Sequence, residues 1–530
     1  MGFAWTGFRA RAGSVLSGRR ARGARLHPTS FGTVALVGAG TLKFALQLAL
    51  LPILARLIGP EEYGLVGLAV PFALFVNMMA DGGVSYALSR ERNVTAEQES
   101  TGFWLAAAIG AACATICCLA AWPMGVLLSQ PRLPLLIVAL APIMVLNGLS
   151  AVSGARLSRE GRFSFLAAIE TLSNLVSIGV AIAAAASGLG AWSLVAQQFA
   201  LFLCRTSSLY LASKIPIKWE FRVDQARSLL RFGVNTTGAG LVDHISRNID
   251  NLIIGAILGV TNLGYYAMAY QIARIPDMLI AWPLHRYVFR AVSRASHDAE
   301  PETIRRLSVA SLGGGAVVLA PLFCGLATTA DIAVALVLGD QWTGAVAPLR
   351  WLAAAGFMFG VSSIVAVTVS ALGHSRLQLR LSAFSAIVTI VVVAVSGRFG
   401  IAATSASLAV GVTVACGLYL HQLARCTSAP LQRLFGAFRP ALCAALVMAA
   451  TILGLREPLE ALPLFLGLPL LLGIGTLAYG AVIWGLFRSG LAADLRVLVR
   501  AQGDIQPDPA PFEGERASHS AGLTAPLPRA

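Results

Sequence analysis

Long apolar runs alternate along this chain with short breaks that carry Arg and Lys. A helix that crosses a bilayer needs about 20 mostly apolar residues. Fourteen runs approach or exceed that length: 32–55, 64–89, 102–128, 133–153, 164–187, 190–212, 233–258, 263–285, 309–337, 345–373, 378–396, 400–420, 438–454 and 462–486. The pattern therefore predicts an all-α integral membrane protein with about 14 transmembrane helices. Run 438–454 is short for a span, and 309–337 has length enough to end early. Beyond the last run, Leu491, Leu495 and Leu498 share one helical face, so 487–501 is expected to lie on the membrane surface. Residues 503–530 hold several Pro and acids with few large apolar side chains, which predicts disorder.

Composition narrows the class. Of 530 residues 57% are apolar and 12% charged, about half the usual charged share of roughly 25%. Polar groups this few cannot cover a soluble surface, so soluble, disordered, collagen-like and disulfide-scaffold classes are excluded. The net charge of +15 comes mostly from Arg. In a soluble protein it would suggest nucleic acid; here the cations sit between apolar runs and set topology. With the N-terminus inside, the inner segments carry about 29 Lys and Arg, and the outer loops carry Arg56, Arg132, Arg398 and Arg456. Both termini are thus expected in the cytoplasm. Residues 1–30 hold six Arg and no acid, with no cleavage site after the first run, so no secretory signal is expected. The Met1-Gly2 start with Thr6 matches an acylation pattern by chance.

Some chemistry is excluded as well. No phosphate-binding Gly-Lys-Ser/Thr loop is present, so the chain carries no ATPase of its own, and no hydrolase motif is found. The eight Cys show no ligand spacing. Cys113, Cys117 and Cys118 fall inside an apolar run and are expected to pack. The Asn93-Val94-Thr95 sequon falls on the inner side and should be silent. No metal site and no bound cofactor are expected.

The first and seventh runs look related. Phe31-Gly32 opens one and Phe232-Gly233 the other, 201 positions later. Gly59-Pro60-Glu61-Glu62-Tyr63-Gly64 follows the first, and Gly259 through Gly264, with Tyr265, follows the second at an offset of 200. An even number of spans per repeat implies parallel halves related about the membrane normal, with a path between them. The expected organisation is a basic segment 1–31, a six-helix lobe 32–212, a linker 213–232, a second lobe 233–420, two further helices within 438–486, and a tail 487–530. Within the turns, Gly59 is expected to provide tight geometry and Pro60 to stop the first helix.

Charges inside spans are costly, roughly 2.5–3.5 kcal/mol at a helix centre on insertion scales, so they face a cavity or a partner. Lys43 lies mid-run in the first span. Asp243, Arg247 and Asp250 share one face of the seventh, with His244 beside them. Arg274 and Asp277 lie in the eighth; Glu170, Gln197 and Gln198 interrupt the fifth and sixth. Lining a polar path and packing as an ion network are alternatives for these residues. Packing is favoured for Glu170 and the Gln pair.

The stretch Arg56-Leu57-Ile58-Gly59-Pro60-Glu61-Glu62-Tyr63-Gly64 resembles the polysaccharide-exporter branch of the multidrug/oligosaccharidyl-lipid/polysaccharide flippase superfamily. Asn248 through Gly259, then Gly264-Tyr265-Tyr266, resembles the same branch at the matching place, and the likeness covers about residues 30–490. It implies two pseudo-symmetric six-helix lobes around a central cavity, plus two C-terminal helices. It also implies translocation of lipid-linked oligosaccharide across the bacterial inner membrane for exopolysaccharide, capsule or O-antigen assembly. Lys43, Arg247 and Arg274 would then meet an anionic diphosphate headgroup, and Asp243, Asp250 and Asp277 would bind a coupling H⁺ or Na⁺ or hold the Arg. A polysaccharide polymerase and chain-length proteins are expected partners alongside membrane lipids, with no nucleic acid. One alternative is a cation-coupled drug or metabolite antiporter on the same fold, against which the two extra helices argue. The other is a membrane polymerase or ligase, against which the short outer loops argue.

Overall fold

The computed structural model describes residues 28–91, 94–215, 217–230, 250–298, 301–459 and 463–503, and among them every regular element is a helix. Helices follow from the solvent: hydrocarbon offers no hydrogen bonds, so each spanning segment must satisfy its own backbone. The contacts divide the chain into two compact units, Met1–Gly264 and Tyr265–Ala530. The first holds α1 (Pro28–Leu57), α2 (Pro60–Asn77), α3 (Val84–Arg90), α4 (Ala96–Leu127), α5 (Leu133–Leu140), α6 (Pro142–Arg159), α7 (Phe163–Ala186) and α8 (Ala191–Ser213). Helix α9 (Val260–Ala273) starts in the first unit and ends in the second. The second continues with a π-helical turn (Asp277–Ala281), α10 (Trp282–Asp298), α11 (Pro301–Thr328), α12 (Ala330–Val337), α13 (Val346–Ala371), α14 (Ser375–Ser396), α15 (Ile401–Thr427), α16 (Leu431–Gly436), α17 (Arg439–Leu459) and α18 (Leu464–Gly503).

Ten helices among the described residues are long and apolar enough to cross a membrane. Several expected runs are shaped differently from one continuous helix. Run 64–89 is divided between α2 and α3 by a turn in which Gly82 and Gly83 adopt positive φ. Asp81 accepts a hydrogen bond from the Gly83 N–H at 3.0 Å and another from the Ser85 hydroxyl, which fixes that turn. Run 263–285 is interrupted by the π turn, which Pro276 and Pro283 bracket; each proline removes a helical N–H donor. Run 309–337 begins earlier, at Pro301, and breaks at Thr329. Run 462–486 continues as one helix to Gly503. Most of run 233–258, and the tail beyond 503, lie outside the described residues.

Both units use the same packing scheme. In the first, α4 lies on α6, α6 on α8 and α7 on α8; in the second, α11 lies on α13, α13 on α15 and α14 on α15. Helix α1 packs on α7, while α17 and α18 pair with each other and cover α11. Small residues permit the close crossings: a Cβ on Gly110 would stand 2.6 Å from the Met144 carbonyl oxygen, and one on Gly148 would stand 2.3 Å from that of Ala106.

The tightest crossing joins the two motif turns. A Cβ on Gly64 would lie 1.8 Å from the Val260 carbonyl oxygen, and a Cβ on Gly264 would lie 1.9 Å from that of Pro60. The contact is reciprocal at the offset of 200, so each first helical turn presses its carbonyl onto the other's glycine. Gly59 does not fill the role expected of it: its φ of −70° is open to any residue and a Cβ there meets nothing. Beside this crossing, Glu62 grips Arg132 in a fork at 2.6 and 3.0 Å and accepts the Ala191 N–H at 2.9 Å, which caps α8.

Two outcomes follow for stability. Gly64→Ala should lower it by about 1–3 kcal/mol through overpacking, while Gly59→Ala should leave it within about 0.5 kcal/mol; thermal unfolding in detergent distinguishes them. For Glu62, burial raises the carboxyl pKa, but the Arg132 guanidinium and the Ala191 N–H outweigh it and hold the group below its ordinary value of 4.5. A depressed folded value means the contribution is complete above 4.5 and is lost as pH falls through the folded pKa. Since Arg132 is half exposed, Glu62→Gln should cost about 1 kcal/mol near neutrality. That difference should shrink below pH 4.5 in a pH series of unfolding temperatures.

Candidate functional site

The motif residues sit where the helices turn. Arg56 is exposed near the end of α1, Pro60 opens α2, and Glu61 is exposed in its first turn. Tyr63 is half buried behind the Glu62 clamp. In the second half, Gly259 takes a φ of +80°, a conformation that favours glycine. Tyr265 fills a slot against Trp342, edge-on at 6.2 Å, with its hydroxyl donating to the Gln341 carbonyl at 3.4 Å. Gly344 leaves room for that ring, since a Cβ there would lie 2.6 Å from it.

The intramembrane charges divide between the units. Lys43 lies half buried at the middle of α1, and among the described residues it makes no hydrogen bond or ion pair. The helix around it is thinly covered: Gly38, Gly40, Thr41, Leu42 and Ala45 are exposed, whereas Leu50, Leu51, Leu54 and Ala55 are buried. Some 14 residues separate Lys43 from either end of α1, roughly 20 Å at 1.5 Å per residue, too far for its side chain to reach an interface by snorkelling. Asp250 is buried and accepts the Asn251 N–H at 2.9 Å. Asp243, His244 and Arg247 lie outside the described residues.

In the second unit, the Arg274 guanidinium lies 5.6 Å from the centre of the Tyr270 ring. Asp277 opens the π turn, and its Oδ1 is enclosed, near the bare Cα of Gly360 on α13. Glu170 pairs with Arg205 at 2.7 Å between α7 and α8. Gln198 lines a void with Asn77 that has room for about one water. The Asn77 Oδ1 is buried there with no hydrogen-bond partner among the described residues.

Sequence reasoning missed the strongest ion cluster. Glu99, buried near the start of α4, is held by Arg156 at 3.2 Å and Arg159 at 2.6 Å, and Arg159 also donates to the Leu88 carbonyl at 3.0 Å. Near the start of α11 in the second unit, Glu302 pairs with Arg305 at 2.7 Å, Arg306 at 3.1 Å and Arg433 at 3.7 Å. The available signal was an acid in a first helical turn with Arg156 and Arg159 one turn apart. Also missed was His285, whose Nε2 lies 2.8 Å from Ser363 Oγ.

A half-buried lysine with no hydrogen bond or ion pair among the described residues can hold an anion. Comparison with known proteins supplies the context. The sequence profile of the polysaccharide biosynthesis protein family matches residues 53–347, more than half of the chain. The succinoglycan biosynthesis transport protein ExoT of Rhizobium meliloti (strain 1021) is 28% identical over 299 residues, covering 56% of this chain and 60% of that protein. The lipopolysaccharide biosynthesis protein WzxC of Escherichia coli (strain K12) is 22% identical over 401 residues, covering 74% of this chain and 77% of that protein. Among solved structures, the lipid II flippase MurJ in an inward closed conformation aligns with a TM-score of 0.67 at 14% identity, over 86% of this chain and 99% of that one. An inward-facing multidrug resistance MATE family transporter aligns at 0.56 and 15% identity, over 74% and 96%. These likenesses give the fold of helical membrane transporters, and the profile match assigns this chain to the polysaccharide biosynthesis protein family.

Proposed function

We propose that this protein is a flippase that carries lipid-linked oligosaccharide across the bacterial inner membrane for exopolysaccharide, capsule or O-antigen assembly. The observation that carries the proposal is the family match over residues 53–347 in an all-helical membrane chain. Relatives named for succinoglycan biosynthesis transport and for lipopolysaccharide and teichuronic acid biosynthesis support the reading. The work is transport by alternating access rather than catalysis. The topology we adopt has fourteen spans with both termini in the cytoplasm, and two six-helix lobes followed by α17 and α18. A polymerase and chain-length proteins would receive the product outside. The drug-antiporter reading is disfavoured by the family match.

Lys43 is the cation we assign to the substrate's diphosphate. It stands mid-membrane without a partner among the described residues, on a stretch of helix that protein leaves uncovered. A lysine in that position needs water or an anion to carry its charge. A charge-assisted hydrogen bond contributes about 1.5–3 kcal/mol, so its loss should weaken transport tenfold or more. Lys43→Ala should therefore reach the membrane at wild-type levels yet fail to restore surface glycan to a strain lacking this gene, while lipid-linked oligosaccharide accumulates inside. Full glycan export by Lys43→Ala at wild-type abundance would remove Lys43 from the substrate path.

A further inference from the structure

Beyond α8 the chain runs as a strap along the start of α4. Residues 217–222 are irregular and 223–230 are helical. Its two flanks are tied down by apolar burial: Ile215, Ala226 and Leu229 join one core with Leu88 of α3, Phe103 of α4 and Val152 of α6. Between the flanks, side chains of α4 hold the strap's backbone. The Lys218 N–H donates to Ser100 Oγ at 3.2 Å, and the Arg222 N–H donates to Thr101 Oγ1 at 3.3 Å. The Trp104 indole N–H donates to the Lys218 carbonyl at 3.0 Å. The Arg222 guanidinium pairs with Glu97 at 3.2 Å, and the Trp219 ring stacks on Trp104 with centroids 4.3 Å apart.

This path leaves three large apolar side chains outside. Trp219 is 89% exposed, Phe221 52% and Val223 71%. Apolar groups gathered in this way mark an interaction surface. Lys214, Lys218 and Arg227 are exposed around them, and Glu220 and Asp224 are the only acids from Ile217 to Leu230. The level of the strap follows from α4. That helix has 32 residues, about 48 Å at 1.5 Å per residue, against a hydrocarbon core of roughly 30 Å. Centred in the bilayer, it projects about 9 Å at each end. Glu97 and Glu99 lie in the projecting first turn, and no charge follows from Ser100 to Leu127. Trp104 comes eight residues after Ala96, about 12 Å along the axis, at the edge of the hydrocarbon. Trp219, stacked on it, shares that level, where indole rings concentrate. A water-soluble partner could not seat on Trp219 without entering that layer. Cations beside apolar side chains fit a surface of anionic phosphates over acyl chains.

We propose that Trp219, Phe221 and Val223, flanked by Lys214, Lys218 and Arg227, form a docking surface for an anionic lipid leaflet. The three apolar side chains enter the boundary between headgroups and acyl chains, and the three cations meet lipid phosphates. The surface ties the connection between α8 and the seventh expected span to the membrane. It does not depend on what the protein transports.

The test uses the full chain, purified into nanodiscs of phosphatidylcholine and phosphatidylglycerol. Tryptophan emission is quenched either by lipids brominated near the headgroup end of their acyl chains or by aqueous acrylamide. The difference between wild type and Trp219→Phe isolates the emission of Trp219, and far-UV circular dichroism checks that both are folded. That emission should lose most of its intensity to brominated lipid and little to acrylamide. At equal mole fraction, brominated phosphatidylglycerol should quench it more than brominated phosphatidylcholine. The triple variant Lys214→Gln, Lys218→Gln, Arg227→Gln should abolish that preference. Quenching by acrylamide and not by lipid would overturn the proposal, because the surface would then face water. Quenching by neither would overturn it too, since protein would cover Trp219, either another segment of this chain or a second copy. Equal quenching by the two brominated lipids in wild type would remove the anionic headgroup from the account.

Discussion

A bilayer interior that donates and accepts no hydrogen bonds is the constraint on which this structure depends. It forces the backbone into helices and leaves the side chains to decide how helices meet. Without a hydrophobic force between helices, contact is gained by closeness, so glycine becomes the contact residue. The reciprocal press of Pro60 on Gly264 and of Val260 on Gly64 is the extreme case, with no room for even one methyl on either side. Gly110 and Gly148 do the same between α4 and α6.

The same constraint sorts the charges. Near the helix ends, acids and Arg lock together: Glu62 with Arg132, Glu99 with Arg156 and Arg159, Asp331 with Arg456 and Arg350. Each carboxylate there is met by at least one guanidinium, as the cost of removing it from water requires. Within the membrane the pattern differs. Lys43 stands in a sparsely covered stretch, and Asp277 and His285 sit at a helical irregularity that two prolines impose. Groups that serve only packing would be paired like those near the ends, as Glu170 and Arg205 are. Lys43 departs from that rule among the described residues, which is the basis for assigning it to the substrate path.

Helical class and the places of ten of the fourteen expected spans were legible because apolar length is a one-dimensional signal. The matching turns at an offset of 200 were legible too, and the structure gives them a direct contact. What escaped was geometry inside apolar runs. Asp81-Gly82-Gly83 divides one run because a half-buried aspartate can build a turn that hydropathy averages away. The role given to Gly59 belongs to Gly64, because which glycine meets a neighbouring backbone depends on how two helices cross. Glu99 was hidden for the same reason, since its two arginines lie 57 and 60 positions away. His285 stands beside Arg286 in sequence, and its partner Ser363 lies 78 positions away.

The central claim is that this chain moves a lipid-linked glycan from one face of a membrane to the other. The most direct measurement reconstitutes the purified protein into liposomes containing a fluorescent lipid-diphosphate oligosaccharide. A membrane-impermeant glycosidase is then added outside. The account predicts that all of the glycan becomes cleavable in protein-containing vesicles, against only the outer-leaflet share in empty ones. Equal protection in the two preparations, with correctly inserted protein and an imposed proton gradient, would contradict it.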